Sequence, residues 1–326
     1  WTMDGAVLGF NFGPAKLNFL VGRTNGRNSN QGVDLGGIRV GGTQGYGATT
    51  LIGGLNTRGN QLTADSLLGA HLTVPLTDKG SLDLAYLIHG QNTPTSVPPS
   101  GGVATQDTVH VYGGSLNWDL NGIKLQGGVS QSKTYTGDKG YSPFNTQNTA
   151  WNVGLGYDSD RWGIAGGYRD IGRNYGAAGD WGRIGAWWNP TGIKSWNAKA
   201  WFGISGQSEL WAKGEWLEGD GRTGSLPKSV DITSYKVGLN QQISEGLALM
   251  LGAEFVEYRG IGAGSKPYQR WYDLGVSYSL SDMAKLSLLW QYSDADAKTS
   301  LAWAAPGNPN GRYTGHLLTT QFTIKF

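Results

Sequence analysis

The last stretch of the chain, LTTQFTIKF at residues 318–326, alternates between two kinds of side chain. The phase that begins at Leu318 contains Phe322, Ile324 and Phe326, whereas the intervening residues are Thr, Gln or Lys. Successive residues of a β-strand point to opposite faces, so this pattern predicts a strand with one apolar and one polar face. A sheet built from such strands separates two different surroundings.

The same pattern recurs along the chain in segments of about ten residues, separated by turn residues. Sixteen strands are predicted, at 5–12, 16–24, 45–56, 63–75, 80–90, 106–119, 122–135, 149–158, 161–170, 195–205, 208–218, 230–242, 247–258, 268–280, 284–294 and 312–326. Eighteen strands are the alternative, if the Gly-rich stretch VDLGGIRVGG at 33–42 hides one and another precedes Trp1.

The connections between these strands alternate in length. Short polar turns are predicted at 77–80, 119–122, 158–161, 205–208, 243–246 and 279–283, and longer connections at 91–105, 136–148, 171–193, 219–229, 259–267 and 295–311. Tight turns at one end and long loops at the other are typical of transmembrane barrels, whereas a soluble barrel has no reason to segregate them so regularly. The sequence therefore predicts an all-β, transmembrane, antiparallel up-and-down β-barrel, as a single domain over 1–326.

Composition excludes several other classes of protein. The most apolar stretch, from Gly246, is interrupted at Glu254, well short of the roughly 18 apolar residues of a membrane-spanning helix. The 14 Trp and 15 Tyr residues argue against disorder, and a net charge of +2 argues against a nucleic-acid binder. The absence of cysteine excludes disulfides and thiol catalysis. The first residues lack a signal-peptide pattern, so we expect a mature chain.

Glycine is unusually frequent, at 54 of 326 residues. Because glycine has no side chain, it permits close approach between protomers or bends within curved strands. The segments GGLN at 53–56 and GVSQ at 128–131 are candidates for either use.

Several aromatic residues fall near predicted strand ends, in the apolar phase. These are Trp118, Trp151, Trp162, Trp196, Trp216, Tyr272 and Trp290. Trp and Tyr favour the boundary between membrane and water, so this placement predicts an aromatic girdle. The alternative interpretation is that they form the core of a soluble sandwich.

The polar phase is the functional surface if the barrel is a channel. The predicted pore-lining residues are Asp65, His71, Asp83, Lys124, Arg169, Lys199, Lys213, Glu215, Lys236, Glu254, Asp273 and Lys285. Each of these is about equally well explained as a solvated lumen residue and as a selectivity determinant, because selectivity arises at the narrowest point. The uncharged connection QNTPTSVPPSGGVAT at 91–105 is expected to narrow the pore without an acidic stripe, which predicts weak ion selectivity.

The longest connection, from Gly172 to Lys194, concentrates aromatic and charged residues. Its candidate pore-mouth residues are Arg173, Asp180, Trp181, Arg183, Trp187 and Trp188. Aromatics beside polar groups can stack sugars, which supports a substrate-specific porin as the second hypothesis. The simpler interpretation is a packed extracellular cap or a contact between protomers, and we favour it here.

Enzymatic chemistry is the less favoured alternative. The four histidines are too scattered for a metal site, so no metal or cofactor is expected. His71 and His89 share the polar phase with Asp65 and Asp83, so an omptin-like or phospholipase-like site is conceivable. No serine lies in a GxSxG motif, which favours a non-enzymatic protein.

Two resemblances to known families add to this interpretation. The terminal Phe326, in phase with Phe322 and Ile324, resembles the signal by which the barrel-assembly machinery recognises outer-membrane barrels. The run YRDIGRNYGAAGDWGRIGAWWNPTGIK at 168–194, the opening DGAVLGFNFGPAKLNFLVGR at 4–23 and the final TIKF resemble the barrel of the S-layer-homology outer-membrane porins of diderm Firmicutes, the OmpM-like family. That resemblance implies a trimeric general diffusion porin. The family's peptidoglycan-tethering domain and stalk have no counterpart in this sequence, so tethering is not carried over.

The sequence as a whole therefore predicts an integral outer-membrane porin that passes small hydrophilic solutes and ions by diffusion. Its expected partners are outer-membrane lipid, two further copies of the chain in a homotrimer, and the barrel-assembly machinery during biogenesis. No nucleic acid is expected among them.

Overall fold

The computed structural model describes residues 3–24, 64–91, 107–135, 147–173, 175–177, 183–184, 187–188, 190–221, 228–260, 266–281, 283–296 and 312–324. Its strands are β1 (Met3–Phe12), β2 (Ala15–Thr24), β3 (Ala64–Thr77), β4 (Gly80–Gln91), β5 (Asp107–Leu120), β6 (Ile123–Tyr135), β7 (Thr149–Asp158), β8 (Trp162–Ile171), β9 (Arg183–Ile184), β10 (Trp187–Trp188), β11 (Ile193–Ser205), β12 (Ser208–Gly219), β13 (Asp231–Gln242), β14 (Leu247–Arg259), β15 (Tyr268–Ser281), β16 (Ala284–Asp296) and β17 (Arg312–Ile324). Within these ranges, no helix is long and apolar enough to cross a membrane.

Fifteen of these strands form one sheet in which each strand pairs antiparallel with its neighbours along the chain. Its order runs from β1 to β8 and then from β11 to β17, while β9 and β10 form a separate two-stranded ribbon. The predicted all-β, up-and-down fold is therefore confirmed.

The strand count differs in one place from the prediction. Fifteen of the sixteen predicted strands are present, and the sixteenth, at 45–56, lies outside the described residues, as does the Gly-rich stretch at 33–42. β2 pairs directly with β3, from Lys16 opposite Thr73 to Arg23 opposite Ser66, so no strand intervenes between them. The edge strands β1 and β17 both run from the end with long connections to the end with short turns, so these two edges cannot pair antiparallel with each other.

The short turns use the chemistry that tight hairpins require. In the turn between β5 and β6, Asn121 and Gly122 have φ values of 55° and 92°. Both central residues of a type I′ hairpin need this left-handed region, which Asn and Gly tolerate best. The Asp119 carboxylate also accepts a hydrogen bond from the Gly122 amide at 3.0 Å. The hairpin is thus fixed by the local residues DLNG.

One face of the sheet, here called the apolar face, carries aliphatic residues between two aromatic belts. The belt near the short turns contains Phe12, Trp118, Tyr157, Trp162, Phe202, Tyr278 and Phe322, and the belt near the long connections contains Tyr112, Trp151, Tyr168, Trp196, Trp216, Tyr235, Tyr272 and Tyr292. On β7, Trp151 and Tyr157 are six residues apart, about 20 Å along the strand. Between the belts, none of the described side chains on this face is charged.

The aromatic belts also stabilise the sheet through contacts between neighbouring strands. The ring of Tyr168 lies 5.1 Å from that of Trp151 and 4.7 Å from that of Trp196, which links β7, β8 and β11. Trp216 donates a hydrogen bond to the Tyr235 hydroxyl at 3.2 Å. All seven aromatic residues that the sequence assigned to a girdle lie on the apolar face, with Trp290 opposite Leu318 between the belts.

Candidate functional site: the polar face of the sheet

The opposite face of the sheet, here called the polar face, is the candidate functional surface. Strand register places eleven of the twelve predicted pore-lining residues on it: His71, Asp83, Lys124, Arg169, Lys199, Lys213, Glu215, Lys236, Glu254, Asp273 and Lys285. The side chain of Asp65 lies outside the described residues. Successive side chains of each strand point to opposite faces, so ionisable residues that occupy alternate positions all lie on this one face.

The most buried charges on the polar face form a network across β8, β11 and β12. Arg169 pairs with the carboxylate of Glu215, and the Ser195 hydroxyl donates to the same carboxylate at 2.6 Å. The side chains of Arg169 and Glu215 are only 16% and 7% exposed. Such a pair is costly to break, because the surviving charge stays in surroundings that solvate it poorly.

Two other carboxylates of the polar face also form ion pairs with lysines. Glu254 pairs with Lys236 at 3.2 Å. Asp158 pairs with Lys124 at 2.6 Å and accepts a hydrogen bond from the Trp201 indole at 3.0 Å. These interactions hold the long side chains of Lys236 and Lys124 against the sheet, which keeps the polar face ordered.

One His–Asp pair of the kind that the sequence suggested is present, and its carboxylate is held by hydrogen bonds from neighbouring strands. His71 Nε2 lies 3.2 Å from Asp83 Oδ1, and the hydroxyl of Thr73 donates to the same oxygen at 2.7 Å. Asp83 also accepts hydrogen bonds from Ser81 and Asn117. The other candidate, His89, is fully buried near the long connections, so the two histidines do not converge on one site.

Metal chemistry finds no support in the described ranges. No group of three or more His, Cys, Asp or Glu side chains in that part of the chain lies close enough to hold a metal ion.

Two tryptophans lie side by side on the polar face. Trp201 and Trp211 are directly opposite each other on β11 and β12. Their indoles cover Gly163 and Gly238 on the flanking strands, where a Cβ atom would overlap the ring. Glycine at these positions therefore lets a large ring lie flat on the wall.

Glycine 128, within the predicted segment 128–131, shows the same use of space. A Cβ atom there would lie 2.9 Å from the side-chain oxygen of Asn152 and 3.4 Å from the Cβ of Ser115. Close packing on the polar face explains this glycine, and protomer contact is not needed for it. Segment 53–56 lies outside the described residues.

The long connection after β8 folds over the polar face at the end of the sheet away from the short turns. The Tyr175 hydroxyl lies 2.8 Å from the Ser130 hydroxyl, and the Gly176 amide donates to Ser132 at 3.0 Å. Ile184 is completely buried and packs in a cluster with Ile171, Tyr175, Ile193, Leu217, Val230, Ile232, Val256, Tyr258 and Trp271. This apolar cluster on the polar face was not predicted. Its signal is an inversion of the alternation near the long connections, where Ile171, Ile193 and Ile232 fall in the polar phase. Charged residues such as Asp170, Lys194 and Asp231 occupy the other phase there.

Substitution of Tyr175 by phenylalanine tests this packing. Burial raises the pKa of the Tyr175 phenol, so the hydroxyl stays protonated. We expect Tyr175→Phe to lower the free energy of unfolding by about 1 kcal/mol, because Ser130 loses a partner. Urea titration in detergent, followed by tryptophan fluorescence, measures the change. An unchanged midpoint would mean that the connection does not rest on β6.

The predicted pore-mouth residues are only partly described. Arg173 is exposed at the end of β8, whereas Asp180 and Trp181 lie outside the described residues. Arg183, Trp187 and Trp188 belong to the β9–β10 ribbon, but their side chains lie outside the described part. The connection at 91–105, predicted to narrow the pore, also lies outside it. The connection after β8 does contact the polar face, through Tyr175 and Gly176.

The predicted assembly signal lies at the edge of the sheet. Phe322 and Ile324 are exposed on the apolar face of β17, opposite Leu286 and Ala284. Phe326 lies outside the described residues. Their role in assembly stays a prediction.

No protein-family model and no curated protein matches the chain. Among solved structures, it is similar to OccK5 (OpdH) of Pseudomonas aeruginosa, with 11% identity over 99% of this chain and 81% of that chain, at a TM-score of 0.49. The trimer form of OmpT, an outer membrane protein of Vibrio cholerae, is 9% identical over 80% of this chain and 92% of that chain, at 0.44. The outer membrane channel DcaP of Acinetobacter baumannii is 12% identical over 80% and 86%, at 0.40. Likenesses this distant carry no argument about function.

Proposed function

We propose that the chain is an outer-membrane porin, a water-filled channel for passive diffusion of small hydrophilic solutes and ions. The observation that carries the proposal is the two-faced wall. Its apolar face has uncharged aliphatics between aromatic belts, and its polar face carries the ionisable residues of the same strands. Outer-membrane barrels have this alternation, with lipid on one side and water on the other.

The mechanism needs no covalent chemistry. Neighbouring strands pair their backbones along the whole sheet, which a structure inside lipid requires. Lys199, Lys213 and Asn197 then present polar groups to water along the polar face, so a solute crosses without losing its hydration shell. The carboxylates of Glu215, Glu254 and Asp83 are held by neighbouring side chains, as an ordered channel wall needs.

The assembly is part of the same proposal. A homotrimer in outer-membrane lipid, inserted by the barrel-assembly machinery, is what the resemblance to OmpM-like porins implies for this chain. Signal-peptide removal before insertion belongs to the same expectation.

Liposome swelling with sugars of increasing size tests the proposed diffusion. We expect initial rates that rise linearly with solute concentration and fall smoothly with solute size, because a general pore sorts by size alone. Swelling only with the smallest solutes would still fit a narrow pore. The absence of swelling with folded, inserted protein would refute the channel.

A saccharide-specific porin is the second candidate, favoured by the Trp201–Trp211 pair on the polar face. Indole faces beside polar groups are a common sugar platform. In the same experiment, this candidate requires rates that saturate with one sugar and lose saturation in Trp211→Ala.

A further inference from the structure

Three lysines lie in one row across the polar face. Lys199 on β11 is directly opposite Lys213 on β12, which is directly opposite Lys236 on β13. Directly opposite residues have Cβ atoms about 5 Å apart. The row lies near the middle of each strand, since β11 spans Ile193–Ser205, β12 spans Ser208–Gly219 and β13 spans Asp231–Gln242. It is therefore remote from both rims of the sheet.

The acidic residues around the row neutralise Lys236, through Glu254, but leave Lys199 and Lys213 without an ion pair among the described residues. Glu215 is bound by Arg169 and Ser195, and Glu254 is bound by Lys236.

The acid that acts on Lys199 already has an ion-pair partner. Lys199 interacts electrostatically with Asp158, which already has Lys124 as its ion-pair partner at 2.6 Å. One carboxylate shared between two ammonium groups leaves positive charge over. Lys213, exposed between Lys199 and Lys236, adds a further unit.

Like charges placed directly opposite each other destabilise a sheet. Lys213, at the centre of the row, has a lysine directly opposite it on each side. The sequence therefore retains a repulsion that a single Lys213→Gln substitution would remove. A mobile anion above the row would offset the repulsion, because it interacts with the ammonium groups of Lys199 and Lys213 at once. At physiological ionic strength the screening length is about 8 Å, so neighbouring lysines act on one ion together.

We propose that Lys199 and Lys213, the two members of the row without an ion pair, make the channel selective for anions and form a transient site for small oxyanions and chloride. This inference rests on the proposed porin function. The weak selectivity predicted from the uncharged connection at 91–105 is replaced by a charge-based filter on the wall. The indole of Trp211, next along β12 on the same face, borders the row.

The reversal potential in a tenfold KCl gradient across a planar bilayer tests the proposal. The unmodified protein is expected to favour chloride over potassium. The double variant Lys199→Gln/Lys213→Gln is expected to lower that permeability ratio by about threefold or more, because the local anion concentration depends exponentially on the potential. The control is Lys285→Gln, which removes one positive charge from the polar face near the short turns and should change the ratio by much less than half of the double variant's effect.

A second measurement does not depend on any variant. Inorganic phosphate added to the unmodified channel is expected to reduce the chloride current, since both anions share the row. A ratio that favours potassium, or an unchanged ratio in the double variant, would overturn the anion filter while leaving the porin intact. Folded protein that carries no current would overturn the porin function itself, and the filter with it.

Discussion

Replacing Leu155 by arginine is expected to lower the free energy of unfolding in a lipid bilayer by about 2–4 kcal/mol. Leu155 lies between Trp151 and Tyr157 of the two belts on β7, and its side chain is 57% exposed on the apolar face. An arginine at this depth must be transferred from water to hydrocarbon. Urea unfolding in lipid vesicles, followed by tryptophan fluorescence, measures the change.

The matched control places the same residue on the other face. Gln126 lies on the polar face of β6, opposite Gly154, and is exposed. Gln126→Arg is expected to change the free energy of unfolding by well under half of the Leu155→Arg effect, because its side chain meets water. If the two variants were equally destabilised, the apolar face would not be the lipid face.

The largest effect within the polar face is expected at Glu215. Replacing it with leucine leaves Arg169 without its carboxylate and Ser195 without its acceptor. Removing one partner of a buried ion pair costs about 3–5 kcal/mol, because the remaining charge stays desolvated. Unfolding in detergent micelles measures this loss, and tryptophan fluorescence at zero urea checks that the variant folds.

The double variant Arg169→Met/Glu215→Leu separates charge from packing. With both charges gone, we expect most of the lost stability to return, because apolar residues of similar volume often replace a buried pair without loss. A double variant as unstable as Glu215→Leu alone would mean that the pair is not the cause. The channel wall would then be held there by packing of Leu217 and Ile193 instead.

Much of the fold could be predicted from the sequence, since each strand carries its own evidence. The alternation around Leu249 and Leu251 and the turn residues DLNG define strand limits within one or two residues of those observed. Alternation also assigns each residue to a face, so Lys199 and Trp196 could be placed on opposite faces. These are local properties that a period of two makes visible.

What the sequence could not predict depends on contacts between distant segments. The pairing of Arg169 with Glu215 joins residues on β8 and β12, and nothing near either one specifies the partner. The packing of Tyr175 against Ser130 depends on the path of a long connection, which has no periodicity to interpret. The lysine row became visible only when register placed three separate strands side by side.

Single-channel recording of the refolded protein in a planar bilayer tests the central claim most directly. The account predicts discrete conductance steps that persist without any applied substrate, in groups of three if the homotrimer forms, with Leu155→Arg inserting poorly and Gln126→Arg retaining the steps. Folded protein that inserts into the bilayer and yet shows no steps would contradict the claim that the polar face lines a water-filled pore.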